Sequence, residues 1–192
     1  MHTPRWRLLF VALGAWGTAL VLAPGATALT LGSLAPANAP AGETCTGCHG
    51  FQTETAASSP SYAVPAGKWK IVSWRSRNTT GSKVRARLWV FRPTSTADRY
   101  KLVAKSHKKP IPAHSAPRFA THIRVKSGDL LGVDTFGDMV FAYETAASRD
   151  VTSAPECNPA LGQAVGTGTP CSLFSEGHGR VNVSVVAHRR RH

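Results

Sequence analysis

The chain has 192 residues and carries 23 Lys and Arg against 10 Asp and Glu, a formal net charge of +13. This length suits one domain that buries its own core, and the charge favours polyanionic partners without indicating a fold. The sequence has no phosphate-binding glycine loop, dinucleotide fingerprint, zinc-protease motif or nucleophile elbow, which excludes the enzyme classes that those motifs mark.

The first 28 residues have the layout of a secretory signal peptide. Two arginines precede a mostly apolar run over residues 8–22, and residues 26–28 (Ala-Thr-Ala) provide a small-x-small cleavage site. The apolar run is shorter than the roughly 20 residues that a membrane-spanning helix needs, and no later stretch is long enough. We predict a mature chain that begins at Leu29 with a net charge of +11, either secreted or associated with the cell envelope.

Composition divides the mature chain into three parts. Residues 29–60 are rich in Ala, Pro, Gly, Ser and Thr, which predicts a flexible lead-in. Residues 61–187 predict one β-sandwich domain, and residues 188–192 predict a basic tail. The predicted strands of the domain cover residues 62–64, 69–77, 83–92, 100–106, 119–125, 130–136, 139–144 and 180–187. So many short strands without intervening helices favour an all-β fold, an antiparallel β-sandwich of jelly-roll type.

Four cysteines in an exported chain allow three pairings. Proximity in sequence favours Cys45 with Cys48 and Cys157 with Cys171. The second bridge closes a loop of about 15 residues, worth about 3 kcal/mol in the chain-entropy account, across the longest segment without strand character. Pairings that cross between the two pairs stay open on the sequence alone.

Residues 45–49 read CTGCH, the attachment signature of covalent haem. In that alternative Cys45 and Cys48 form thioethers and His49 is the proximal ligand of a single-haem electron-transfer protein. The candidates for the distal ligand are Met139, His107, His114, His122 and His178. Small cytochromes surround this motif with helices, and the prolines and glycines near it in this chain would interrupt such helices. We therefore favour a short-loop disulfide without a cofactor. No fourth zinc ligand is evident, and no metal site is predicted.

Alternation within the predicted strands separates apolar from basic side chains. In residues 83–92, one face is apolar and the other is basic and then aromatic. If these strands are neighbours, their outward sides form a broad cationic surface with an aromatic ring for stacking. The candidate ligand-binding residues are Arg75, Arg77, Arg85, Arg87, Trp89 and Arg124. This hypothesis predicts a non-catalytic module for an anionic cell-wall polymer or polysaccharide, with no specific nucleic-acid partner.

An extracellular hydrolase is a second alternative. The acidic side chains Asp129, Asp134, Asp138 and Glu144 follow one another in a short segment. Carboxylates of this kind serve as calcium ligands or as the acid and base of glycoside hydrolysis. Acidic residues at turns and strand ends are usually solvated, so the chain is predicted not to be an enzyme.

Three strings occur in order, VPAGKWKIVSW at residues 64–74, LWVFRP at 88–93 and IRVKSGDLLG at 123–132. Together with RVNVSV at 180–185, they resemble a group of small secreted actinobacterial proteins, largely uncharacterised, with a single β-sandwich domain. The resemblance covers residues 60–187 and implies the fold and an extracellular location. It carries no catalytic residue over to this chain.

Overall fold

The computed structural model describes residues 28–39, 44–55, 59–145 and 150–190, except for the side chains of residues 44–46 and 174–176. Residues 1–27 of the predicted signal peptide and the last two residues of the predicted tail lie outside this part. The described residues contain no helix with the length and hydropathy to cross a membrane. Their strands are β1 (Ala28–Ser33), β2 (Thr44–Thr46), β3 (His49–Glu54), β4 (Lys68–Arg75), β5 (Val84–Pro93), β6 (Arg99–Lys105), β7 (Lys109–Ile111), β8 (Phe119–Lys126), β9 (Leu130–Phe136), β10 (Asp138–Val140), β11 (Ala142–Tyr143), β12 (Val151–Pro155), β13 (Ala164–Gly166), β14 (Leu173–His178), β15 (Arg180–Val181) and β16 (Val183–Arg189).

Two sheets contain most of the strands, and all strand pairs in both are antiparallel. The smaller sheet has the order β1-β16-β4-β8. The larger sheet has the order β13-β6-β5-β9-β3-β12-β14, and β7 pairs with β5 beside β6. Two short pairs, β2 with β10 and β11 with β15, complete the fold, and one sheet curls into a half-barrel. The prediction of an all-β, antiparallel fold is confirmed.

The main core lies between the two sheets. Trp69, Ile71 and Trp74 of β4 face this core from the smaller sheet. The larger sheet contributes the alternate residues Val84, Ala86, Leu88 and Val90 of β5. Ile71 and Trp74 are three residues apart and would point to opposite faces of a regular strand. A bulge between Ile71 and Ser73 shifts the register, so both side chains are buried.

A second core covers the opposite face of the larger sheet. Phe51 of β3 stacks on Phe91 of β5 with ring centroids 4.1 Å apart, and Leu102 of β6 is fully buried beside them. The Cys157–Cys171 disulfide and β13 pack over this face. The structure confirms the predicted pairing of these two cysteines. The larger sheet is therefore apolar on both faces in its middle.

The structure places three strands where the sequence predicts a flexible lead-in. β1 pairs with β16 along its whole length, and β3 lies between β9 and β12. Leu31 and Phe51 anchor these strands because both side chains are buried. The prediction of a flexible segment is wrong for residues 29–39 and 44–55. The predicted strand over residues 139–144 is two short strands, β10 and β11.

Candidate anion-binding groove

The predicted ligand-binding residues do not share one surface. Arg85 and Arg87 lie on β5 of the larger sheet, on the face opposite the main core. Arg124 lies on β8 of the smaller sheet, and its neighbour Val125 is buried in the main core. The two groups therefore face away from each other across the main core. The hypothesis of one continuous cationic face is wrong because β5 and β8 belong to different sheets.

Arg75 ends β4, Arg77 lies two residues beyond it, and both are tied by hydrogen bonds to segments that are distant in sequence. The Arg75 Nε donates to the carbonyl oxygen of Ala116 over 2.9 Å. The backbone N–H of Arg77 donates to Asn182 Oδ1, and its carbonyl oxygen accepts a bond from Asn182 Nδ2. The guanidinium of Arg75 and the backbone of Arg77 are thus held by other segments, while the Arg77 Nε is buried without a hydrogen-bond partner among the described residues. Neither arginine lines the basic groove beside β8.

Trp89 does not form a stacking platform on the surface. Its side chain is fully buried in the second core, where the imidazole of His49 lies 5.0 Å from its ring. The guanidinium of Arg87 lies 5.6 Å from the same ring, and its Nε donates to Asp134 Oδ2 over 2.6 Å. Alternation correctly puts these side chains on one face, but the disulfide-bearing loop covers that face. Trp89 and Arg87 thus contribute to stability.

Asp134 is buried next to this cluster. Loss of hydration raises the pKa of its carboxyl above the usual 3.8, although Arg87 lowers it through its charge and its hydrogen bond. A carboxyl whose pKa is higher in the folded state than in the unfolded state binds more protons when folded. Its contribution to stability is therefore fully present below the unfolded pKa and is lost as the pH rises through the folded pKa.

The variant Asp134→Asn tests this pH dependence. The quantity to compare is the difference in the free energy of unfolding between the wild type and the variant. We expect this difference to decrease as the pH rises from below 3.8 through the raised pKa of Asp134. Asparagine keeps the shape of the side chain but does not titrate. Urea denaturation at a series of pH values measures the difference. A difference that stays constant or increases with pH would contradict the inferred direction.

The residues of the CTGCH string do not fit a covalent haem. Cys48 is disulfide-bonded, so its sulfur is not available for a thioether, and the side chain of Cys45 lies outside the described part. The Nε2 of His49 lies 2.9 Å from the carbonyl oxygen of Pro155. Met139, a predicted distal ligand, is fully buried in the main core. Within the described residues, no group of three His, Cys, Asp or Glu side chains is placed to hold a metal ion.

The acidic residues of the hydrolase alternative lie in different environments. Asp129 and Asp134 are both buried and pair with Arg92 and Arg87, respectively. The two residues are five positions apart, with Asp129 directly before β9 and Asp134 within it, which corresponds to roughly 16 Å along the extended backbone. Catalytic carboxylate pairs in glycosidases are only about 5 to 9.5 Å apart. Glu144 instead lines a separate cavity of about 340 Å³. Asp138 is exposed at the start of β10. Asp129 and Asp134 are therefore not placed as a catalytic pair of carboxylates.

A strongly basic groove lies beside the C-terminal half of β8. Its volume is about 780 Å³. The lining residues are Gly67, Lys68, Arg92, Arg124, Val125, Lys126, Ser127 and Arg190. Five of these eight side chains are cationic and none is acidic. We call this site the Arg124 groove.

Antiparallel pairing brings the cations of this groove together. Lys68 lies directly opposite Lys126 in the ladder between β4 and β8. The backbone N–H of Arg190 donates to the carbonyl oxygen of Lys68 over 2.9 Å, which brings the chain after β16 to the same place. Gly67, with φ of +116°, makes the turn before β4 in a backbone conformation that other residues rarely adopt. Strand register, not local sequence, thus concentrates the positive charge.

A buried ion pair fixes one side of the groove. Arg92 Nε and Nη2 donate to the two oxygens of Asp129 over 2.7 and 2.9 Å. Asp129 Oδ2 also accepts the backbone N–H of Lys126 over 2.8 Å, which ties the end of β8 to the same carboxylate. The Asp129 side chain is fully buried, whereas that of Arg92 is 36% exposed. The hydrogen bond to Asp129 raises the pKa of Arg92 further above its ordinary value.

The other cations of the groove are not neutralised by described carboxylates. Among the described residues, the ion pairs involve Arg87, Arg92, Arg180 and His49, and none involves Lys68, Arg124, Lys126 or Arg190. The sequence hypothesis includes Arg124 but not its four cationic neighbours. The spacing of two residues between Lys68 and Lys70, and between Arg124 and Lys126, is visible in the sequence and places each pair on one face of its strand. Their convergence is not, since it depends on which strands pair.

Comparison of the chain with models of known protein families, with curated proteins and with solved structures finds no match. The resemblance to small secreted actinobacterial proteins is thus supported only in its all-β, antiparallel character. The function has to be inferred from the chemistry of the Arg124 groove.

Proposed function

We propose that the chain is a secreted, non-catalytic β-sandwich module of jelly-roll type that binds an anionic cell-envelope polymer or polysaccharide in the Arg124 groove. The observation that carries this proposal is the convergence of five cationic side chains on a groove with no acidic lining residue. Four of them have no ion-pair partner among the described residues. A disulfide fits an extracellular protein and supports the proposed location.

The strand register gives an energetic reason for anion binding. Like charges directly opposite each other in a sheet are destabilising, and the ladder holds Lys68 opposite Lys126 in this way. Arg124 and Arg190 add further repulsion within the same groove. An anion between these side chains replaces repulsion with attraction. Bound polyanion should therefore stabilise the folded state as well as occupy the groove.

Heparin, used as a soluble model polyanion, tests this function through salt-dependent retention. The double variant Arg124→Ala/Lys126→Ala removes two lining cations, and we expect it to elute from a heparin column at clearly lower salt than the wild type. The expected loss of affinity at constant salt is about tenfold or more, because each cation removed reduces the counterion release that drives polyanion binding. Elution salt and a solution titration measure the effect.

The matched control is Arg85→Ala/Lys101→Ala, which removes the same two residue types from exposed positions of the larger sheet. We expect the control to elute close to the wild type. Equal shifts for both double variants would show that overall charge, not the Arg124 groove, governs retention. That result would contradict the proposed function.

A further inference from the structure

A second basic groove lies beside the N-terminal half of β8. Its volume is about 400 Å³. The lining residues are Lys105, Ser106, His107, Lys109, Ala120, Thr121, His122 and Ile123. Two lysines and two histidines line it, and again no carboxylate does. We call this site the Lys109 groove.

The two grooves lie along one free strand edge. Residues 120–123 of β8 line the Lys109 groove, and residues 124–127 line the Arg124 groove. Consecutive residues of a strand point to alternate faces of the sheet. A groove that is lined by four consecutive residues therefore includes residues from both faces, which places it along the edge of the strand. Within the described sheets, β8 is the last strand of its order and pairs only with β4. Eight residues at about 3.3 Å each give a track of roughly 23 Å.

The facing wall of this track belongs to the larger sheet. Lys105 ends β6, Lys109 begins β7, and Arg92 lies near the end of β5. Charged residues on an edge strand commonly prevent it from pairing with another chain. That role requires charges on β8 itself, and it does not account for cations on the opposite wall. Cations on both walls instead suit an anionic chain that lies between them.

We propose that the ligand of the Arg124 groove is a linear phosphate polymer that extends along the edge of β8 and also occupies the Lys109 groove. This inference rests on the proposed function and names the ligand class. A phosphate offers several oxygens in different directions, which matches cations that converge from β4, β5, β8 and the segment after β16. A chain with a charge at every repeat places anions in both grooves at once. Two linked contacts of this kind bind far more tightly than either alone.

Chain length provides the test. Tripolyphosphate is much shorter than the track and fills one groove, whereas long-chain inorganic polyphosphate spans both. We expect the wild type to bind long-chain polyphosphate at least 100-fold more tightly than tripolyphosphate, per chain, in calorimetric titrations at constant salt. The variant Lys105→Ala/Lys109→Ala should reduce this length advantage to less than tenfold while tripolyphosphate still binds in the Arg124 groove. The control Lys83→Ala/Lys101→Ala removes two exposed lysines outside both grooves and should keep the full advantage.

The outcomes separate the two proposals. If Arg124→Ala/Lys126→Ala leaves both the heparin retention and the affinity for the two phosphate probes unchanged, the proposed function fails. If that variant weakens both probes but Lys105→Ala/Lys109→Ala keeps the length advantage, the function stands and the extended track is overturned. Equal affinity for a dextran sulfate of matched length would overturn the assignment to a phosphate polymer. Far-ultraviolet dichroism of every variant verifies that the folded state is retained.

Discussion

Arg92→Ala is expected to lower the free energy of unfolding by about 3 to 5 kcal/mol, although the side chain of Arg92 is partly exposed. The cost arises at its partner. Asp129 is fully buried, and without Arg92 its carboxylate keeps only the backbone N–H of Lys126 among the hydrogen bonds described above. A buried charge that loses its counter-ion is one of the most expensive defects in a protein interior. Urea denaturation at neutral pH measures the loss.

Three further variants make this prediction specific. Arg85→Ala removes an exposed arginine from the same strand, β5, and should change stability by no more than about 0.5 kcal/mol. Arg92→Lys keeps the charge but cannot make the bidentate hydrogen bonds to the carboxylate, so an intermediate loss of stability is expected. Arg92→Ala/Asp129→Ala also removes the unpaired carboxylate. Its loss of unfolding free energy should be smaller than the sum of the losses of the two single substitutions. Simple additivity of the single substitutions would contradict a coupled pair.

Replacement of both Cys157 and Cys171 by alanine is expected to have the second large effect on stability. The bridge joins residues 14 apart in sequence, and its loss is expected to cost about 3 kcal/mol because the unfolded chain gains freedom. The same loop packs over Trp89 and Phe91, so a loosened loop also exposes the second core. The midpoint of urea denaturation should fall, and binding of a hydrophobic dye should increase.

Heparin retention provides the internal control for the cysteine variant. The disulfide covers the face of the larger sheet that points away from the smaller sheet, whereas the Arg124 groove lies along β8. We therefore expect the double alanine variant to elute near the wild type at a temperature where it is folded. An unchanged denaturation midpoint would show that the bridge is not a major source of stability.

Several elements were predictable because their signal is local. Strands β5, β8, β9 and β16 each overlap a predicted strand. β8 and β16 are half-buried and alternate with a period of two, whereas β9 is a short run that is buried on both faces. Short separation in sequence favoured the Cys157–Cys171 pair that the structure contains. The segment around it, which the sequence treats as lacking strand character, contains β12, β13 and β14. In contrast, β1 has only two leucines as a signal, and it is specified by pairing with β16 at the other end of the chain.

Trp89 shows the limit of a periodicity argument. Alternation correctly assigns Arg85, Arg87 and Trp89 to one face of β5, but it does not tell whether solvent or another segment covers that face. A loop more than 60 residues later in the chain provides the cover. The interpretation as a ligand platform was wrong for this reason.

The sequence by itself determined the strand-rich character and the excess of positive charge, because both depend on residue type and short separations. It favoured the Cys157–Cys171 pair, and the structure decided between that pair and the crossed alternatives. Only the tertiary structure decided which cations meet. Lys68, Arg92, Arg124 and Arg190 come from segments that are far apart in sequence and converge through strand pairing and packing. Strand order and register are set by the total burial that two packed sheets achieve, and that quantity cannot be read from any single segment.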